Sequence, residues 1–188
     1  MSAATDKHHY QTLITLFEST FYRTFNTRLV KGNDEPIYLP SNEQCEFNQI
    51  VFAHGFFASA LHEIAHWCVA GEQRRTQVDF GYWYCPDGRN AEQQAQFEQV
   101  EIKPQALEWC FSVACAFPFK VSVDNLAGEA GDRFAFQAKV YEQVQHYMQV
   151  GLPTRAAQFV KALRQHYHTP ELRIQEFRWQ AQQQAITA

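Results

Sequence analysis

A chain of 188 residues that is 46% hydrophobic and 15% aromatic can bury a real core, which excludes a disordered segment. Its formal net charge of -4 argues against a nucleic-acid footprint, which needs a basic face. The five cysteines, Cys45, Cys68, Cys85, Cys110 and Cys115, contain no C-x-x-C pair, which argues against a zinc finger or a thioredoxin motif. Cys68, Cys110 and Cys115 lie in apolar surroundings and are expected to be buried thiols. The first nine residues are polar and lack the apolar region of a signal peptide. No run of about 18 apolar residues is long enough to span a membrane. The expectation is one cytoplasmic domain over residues 1–188, frayed after about residue 180.

In chain order, Leu13, Leu16, Phe17, Phe21 and Phe25 recur at helical spacing, so residues 8–25 are expected to form an amphipathic helix with an aromatic stripe on the core. Arg28, Leu29 and Val30 read as a short strand, Gly32, Asn33 and Asp34 as a turn, and Ile37, Tyr38 and Leu39 as a second strand. The turn signals at both ends suggest that these two strands pair antiparallel. A polar loop over 41–48 leads to a buried strand at 49–53. His54 and Gly55 join that strand directly to a helix over 58–71, which Ser59 can cap and Gly71 can stop. Residues 72–75 read as a solvated basic turn. Residues 78–88 are dense in aromatics and end in a Pro86-Asp87-Gly88 turn. Such a stretch can wall a pocket or simply pack in a core.

Asn90 can cap a helix that starts at Ala91. Pro104 is expected to kink or end it, leaving Lys103 extended. A buried helix then runs over 105–117. Loop and short strand at 118–125 and a turn at 128–132 precede an amphipathic helix over 133–150, stopped by Gly151. Thr154 is expected to cap a last helix that ends near Tyr167. Thr169 begins a tail. The fold class is α+β: a small mixed or antiparallel sheet from the first half, flanked by helices.

The helix over 58–71 contains H-E-x-x-H: His62, Glu63 and His66. Residues four apart share a helix face, so both imidazoles can address one metal ion. The bland reading is two hydrogen-bonded histidines on a half-buried helix, but the helical context that the motif requires is present. Neutral imidazoles suit zinc, iron, copper or nickel. The extended three-histidine version of the motif is absent, since Val69 and Glu72 stand where it needs Gly and His. A carboxylate is the usual third ligand of a two-histidine site with open positions. Glu101 and Glu98 are the leading candidates, three apart on one helix face; Glu101 lies closer to the Pro104 break. Glu72 and Asp79 come next. For every one of these acids, a solvated surface position is the commoner fate.

Two chemistries fit. In a zinc hydrolase, peptidase or nuclease, Glu63 is the general base. In an iron(II) oxygenase, Glu63 orients a histidine or a bound water. A metal-stabilised binding module needs a closed four-ligand site, which five dispersed cysteines do not suggest. His54 is either an ordinary loop histidine or a substrate contact. Tyr82, Asp79 and Asp87 are the candidate substrate contacts in the aromatic stretch.

Six segments then carry a more specific signal: Phe25-Asn-Thr-Arg-Leu29, Asp34-Glu-Pro-Ile-Tyr-Leu-Pro40, Ile50-Val-Phe-Ala-His-Gly-Phe56, His62-Glu-Ile-Ala-His-Trp67, Val78-Asp-Phe-Gly-Tyr-Trp-Tyr-Cys-Pro-Asp-Gly-Arg89 and Lys103-Pro-Gln-Ala-Leu107. Together they resemble the bacterial elongation factor P hydroxylase family from about His8 to Trp179. The resemblance implies a hydroxylase of the lysyl-modified lysine of elongation factor P, with no nucleic-acid or membrane partner. It implies a site of two histidines and one carboxylate: His62, His66 and either Glu98 or Glu101. It implies a divalent metal, iron(II), with O₂ as co-substrate, and a fold akin to metal-dependent endoribonucleases of the YbeY type. In that reading Asp79 or Asp87 would hold the ammonium groups of the substrate.

Overall fold

The computed structural model describes residues 7–79, 89–122 and 133–178. Its contacts group the chain into two compact units, Met1–Gly81 and Tyr82–Ala188.

The first unit begins with α1 (Tyr10–Phe25), which buries Leu13, Phe17 and Phe21, the stripe expected from their spacing. It ends at Asn26, whose left-handed backbone (φ 47°) lets its N–H donate to the Tyr22 carbonyl. Strands β1 (Thr27–Lys31), β2 (Ile37–Leu39) and β3 (Asn48–Phe52) follow. They form one sheet in the order β1-β3-β2. β3 runs parallel to β1 and antiparallel to β2. The expected hairpin between β1 and β2 is therefore wrong, because β3 lies between them. Its Ile50 and Phe52 are both buried, and a central position covers them better than the three half-buried residues of β2 would be covered there. Gly32 does turn the chain, but it does so directly across β3. A Cβ on it would lie 2.6 Å from Val51 Cγ1, so only glycine fits.

α2 (Phe57–Val69) follows β3 after four residues and packs on it. Its apolar face, Ala60, Leu61, Ile64, Ala65, Trp67 and Cys68, is buried. Trp67 sits edge-on to Phe17, Phe21 and Phe25 at centroid distances of 5.2, 5.0 and 5.3 Å. This cluster locks α2 to α1, each ring pair adding about 0.5–1.5 kcal/mol beyond area burial. Ser59 does not cap α2. Its hydroxyl accepts the Ala53 N–H at 3.0 Å and so ties the helix to the end of β3.

In the second unit, Asn90 and Gln93 form a reciprocal capping box at the start of α3 (Ala91–Ala114). α3 runs unbroken through Pro104, contrary to the expected break. A helix-interior proline costs about 3 kcal/mol, chiefly through the lost bond to the carbonyl four residues back. Here Leu107, Trp109 and Phe111 are all buried, and each such side chain contributes about 1.5–3 kcal/mol. Packing on α4 (Arg133–Val150) and α5 (Thr154–Tyr167) therefore outweighs the proline. Thr154 is the first residue of α5, after Pro153, and makes no capping hydrogen bond. The segment after α5 is held as well: the Thr169 hydroxyl donates to the Ala114 carbonyl at 2.6 Å, and Phe177 is buried edge-on to Trp109. Cys68, Cys110 and Cys115 are buried free thiols, and burial pushes the Cys110 thiol far up. Cys85 lies outside the described residues.

Candidate metal centre

α2 carries His62 and His66 one turn apart, half-buried, with their rings edge-on at 4.6 Å. The two Nε2 atoms are 3.0 Å apart. Two nitrogens this close suit either a shared proton or a shared cation. Glu63 is half-buried on the same helix, three residues before His66 and so on its flank.

The candidate carboxylates differ sharply. Glu101 is 3% exposed, an unusual environment for an acid. Its Oε2 accepts from the Gln105 amide at 3.2 Å. Glu98, one turn earlier, is half-buried, and its Oε1 lies 3.4 Å from the Gln94 amide. Gln94 in turn accepts from the Arg89 guanidinium at 2.9 Å, and that guanidinium lies over the Phe97 ring at 3.8 Å. Glu98 therefore belongs to a chain of contacts at the start of α3. Of the two candidate acids on α3, Glu101 is the buried one, as a carboxylate that serves a cation would be. Two imidazoles and one carboxylate are the donor set of metal sites that keep positions open for reactants.

The other sequence candidates are placed as follows. Asp79 is engaged by the Arg74 guanidinium through both carboxylate oxygens, and its backbone pairs with Tyr38. The basic turn is thus not freely solvated. Arg74 holds Asp79, and the Arg75 guanidinium donates to the Ala70 carbonyl at 2.8 Å. Glu72 is exposed. His54 is exposed, in a left-handed conformation (φ 53°), with its ring 5.7 Å from that of the exposed Phe56. A non-glycine residue in this region is strained unless its surroundings hold it there. Tyr82 and Asp87 lie outside the described residues.

Sequence reading missed Gln105. The signal was present, since Gln105 stands four residues after Glu101 on the same helix face.

In class, this is an α+β protein in which a small mixed sheet feeds a helix bearing a histidine pair and a second unit bears a buried glutamate, the residue types of two-histidine, one-carboxylate metal proteins. The chain belongs to the elongation factor P hydroxylase family, whose model matches residues 16–177. It is 53% identical over 165 residues to the elongation factor P lysine hydroxylase of Haemophilus influenzae, a match that covers 88% of this chain and 93% of that relative.

Proposed function

We propose that this chain is an enzyme that hydroxylates a lysine of elongation factor P, using a divalent metal held by His62, His66 and Glu101. The observation that carries the reading is the 53% identity to a named elongation factor P lysine hydroxylase along nearly its whole length. The metal part rests on the chemistry of the donor set: a close pair of imidazoles on α2 and a buried carboxylate on α3. The family match runs from residue 16 to residue 177, through both units, so we take the chain to work as one domain. The likeness to YbeY-type endoribonucleases is a proposal about the fold alone. It rests on the sheet strand that leads directly into the histidine helix.

Iron(II) held there would supply the electron chemistry for hydroxylation, in which one atom of O₂ goes to a C–H carbon and the other leaves as water, with two electrons and two protons from an external reductant. The protein's own groups do the rest. His62 and His66 present neighbouring nitrogens from a helix locked by Trp67, which fixes their spacing before any ion arrives. Glu101 brings the negative charge that a divalent cation requires. Glu63 orients His66 or a water beside it. Asp79 or Asp87 is assigned to the ammonium groups of the lysyl-modified lysine, and Tyr82 and His54 to further contacts with the substrate.

The test is the intact mass of elongation factor P after incubation with this protein, iron(II), O₂ and a two-electron reductant. A gain of one oxygen atom, absent with His62→Ala, is expected. Cleavage of peptide or RNA with zinc, without any oxygen gain, would overturn the proposal in favour of a hydrolase.

A further inference from the structure

Gln105 is 1% exposed and makes three side-chain hydrogen bonds. Its amide nitrogen donates to Ser122 O at 2.7 Å and to Glu101 Oε2 at 3.2 Å. Its amide oxygen accepts from Ser122 N at 3.0 Å. The two bonds to Ser122 settle which way the amide faces. A flipped amide would set its NH₂ against the Ser122 N–H and its oxygen against the Ser122 carbonyl, losing both bonds. With one hydrogen of the NH₂ committed to Ser122, the other is aimed at Glu101. The carboxylate is thus held by a group that is itself fixed by main chain from outside the helix. A buried glutamate has three rotatable side-chain bonds, and holding one oxygen removes most of that freedom.

We propose that Gln105 is a positioning residue: the Ser122-clamped amide sets the rotamer of Glu101 and so pre-forms the carboxylate arm of the metal site. This inference rests on Glu101 being a ligand. Gln105 takes no part in the chemistry. Without it, Glu101 loses one of the contacts that fix its rotamer, and cation affinity falls by the cost of restoring that order. Partners that orient metal ligands from behind typically contribute about 10–100-fold in affinity.

The test uses cobalt(II) as a spectroscopic probe on the full-length, metal-free chain, with folding checked by circular dichroism. Gln105→Met keeps the side-chain length and removes all three bonds. It is expected to weaken cobalt(II) binding about 10–100-fold and to shift the cobalt absorption bands. Should the methionine variant not fold, Gln105→Asn, one methylene shorter with the same amide, is expected to weaken binding in the same direction. Thr169→Val removes a hydrogen bond elsewhere in the same unit; it should lower stability and leave cobalt affinity unchanged. The decisive measurement is the double-mutant cycle. In a Glu101→Gln background, replacing Gln105 should have no further effect, because its action runs through that carboxylate. An equal loss in both backgrounds, or wild-type affinity in a folded Gln105 variant, would overturn the inference and leave the ligand set standing. Wild-type affinity in Glu101→Gln itself would overturn both.

Discussion

Glu101→Gln exchanges an anionic oxygen for a neutral amide while keeping the shape of the side chain. The amide carbonyl still accepts from Gln105, and a neutral group is cheaper to bury than a carboxylate at 3% exposure. Metal-free stability should therefore stay level or rise. Metal binding should fall by more than about 100-fold, beyond what a change behind the ligands causes. A metal at about 100 times its Kd stabilises the folded state by about 2.7 kcal/mol, and a 100-fold weaker site leaves about 0.4 kcal/mol. For a chain of 188 residues, each kcal/mol moves Tm by about 2–4 °C, so the metal-induced shift should drop from about 5–10 °C to about 1–2 °C. Differential scanning calorimetry with and without metal reads this directly. Glu98→Gln is the control: its amide carbonyl still accepts from Gln94, and it should keep the full shift. If Glu98→Gln loses the shift and Glu101→Gln keeps it, the assigned ligand is wrong. If both keep it, the reasoning about α3 fails altogether.

His62→Ala or His66→Ala should abolish tight metal binding and hydroxylation; full metal occupancy in the double variant, by elemental analysis, would place the site elsewhere. Glu63→Gln should keep metal to within about 10–100-fold and retain some hydroxylation, read by the mass of elongation factor P; a general base would lose the chemistry outright. Phe177→Ala should cost about 3–5 kcal/mol in urea unfolding, since the ring is buried on Trp109; a loss below 1 kcal/mol would mean that the segment after α5 is only loosely attached. Burial, with Cys115 adding to it, pushes the Tyr167 hydroxyl up to about 12. Its unfolded value is about 10, so the stability gained by keeping it protonated is intact below pH of about 10 and is lost as pH rises toward 12. Tyr167→Phe should flatten that part of the alkaline unfolding curve.

Periodicity made the helices legible. The Leu13–Phe25 stripe and the spacing of Phe136, Val140 and Val144 each state which face is buried. Local rules failed where long-range packing decided. Pro104 signals a break to any reader of neighbours, yet α3 continues because residues from two other helices bury it. The pairing of β1 with β3 could not be read from turns, since Gly32 marks a change of direction and not a partner. Within the proposed site, the histidine pair was readable because both residues share one helical turn. The difference in burial between Glu98 and Glu101 was not, because equal residue types three apart differ only in what packs around them. Gln105 was overlooked for a related reason: glutamine has no motif, and its role rests on Ser122, seventeen residues away.

The strand order has a consequence for the order of assembly. β3 is central in the sheet but last of the three along the chain. During synthesis from the N-terminus, β1 and β2 emerge first and have no partner in each other. The sheet cannot close until residues 48–52 arrive, and the chain then enters the histidine helix after only four more residues. Completion of the sheet and formation of the histidine pair are thus nearly one event. A nascent chain that stalls before β3 exposes two open strand edges and does not yet carry His62 and His66, so the histidine pair follows the sheet on which its helix packs.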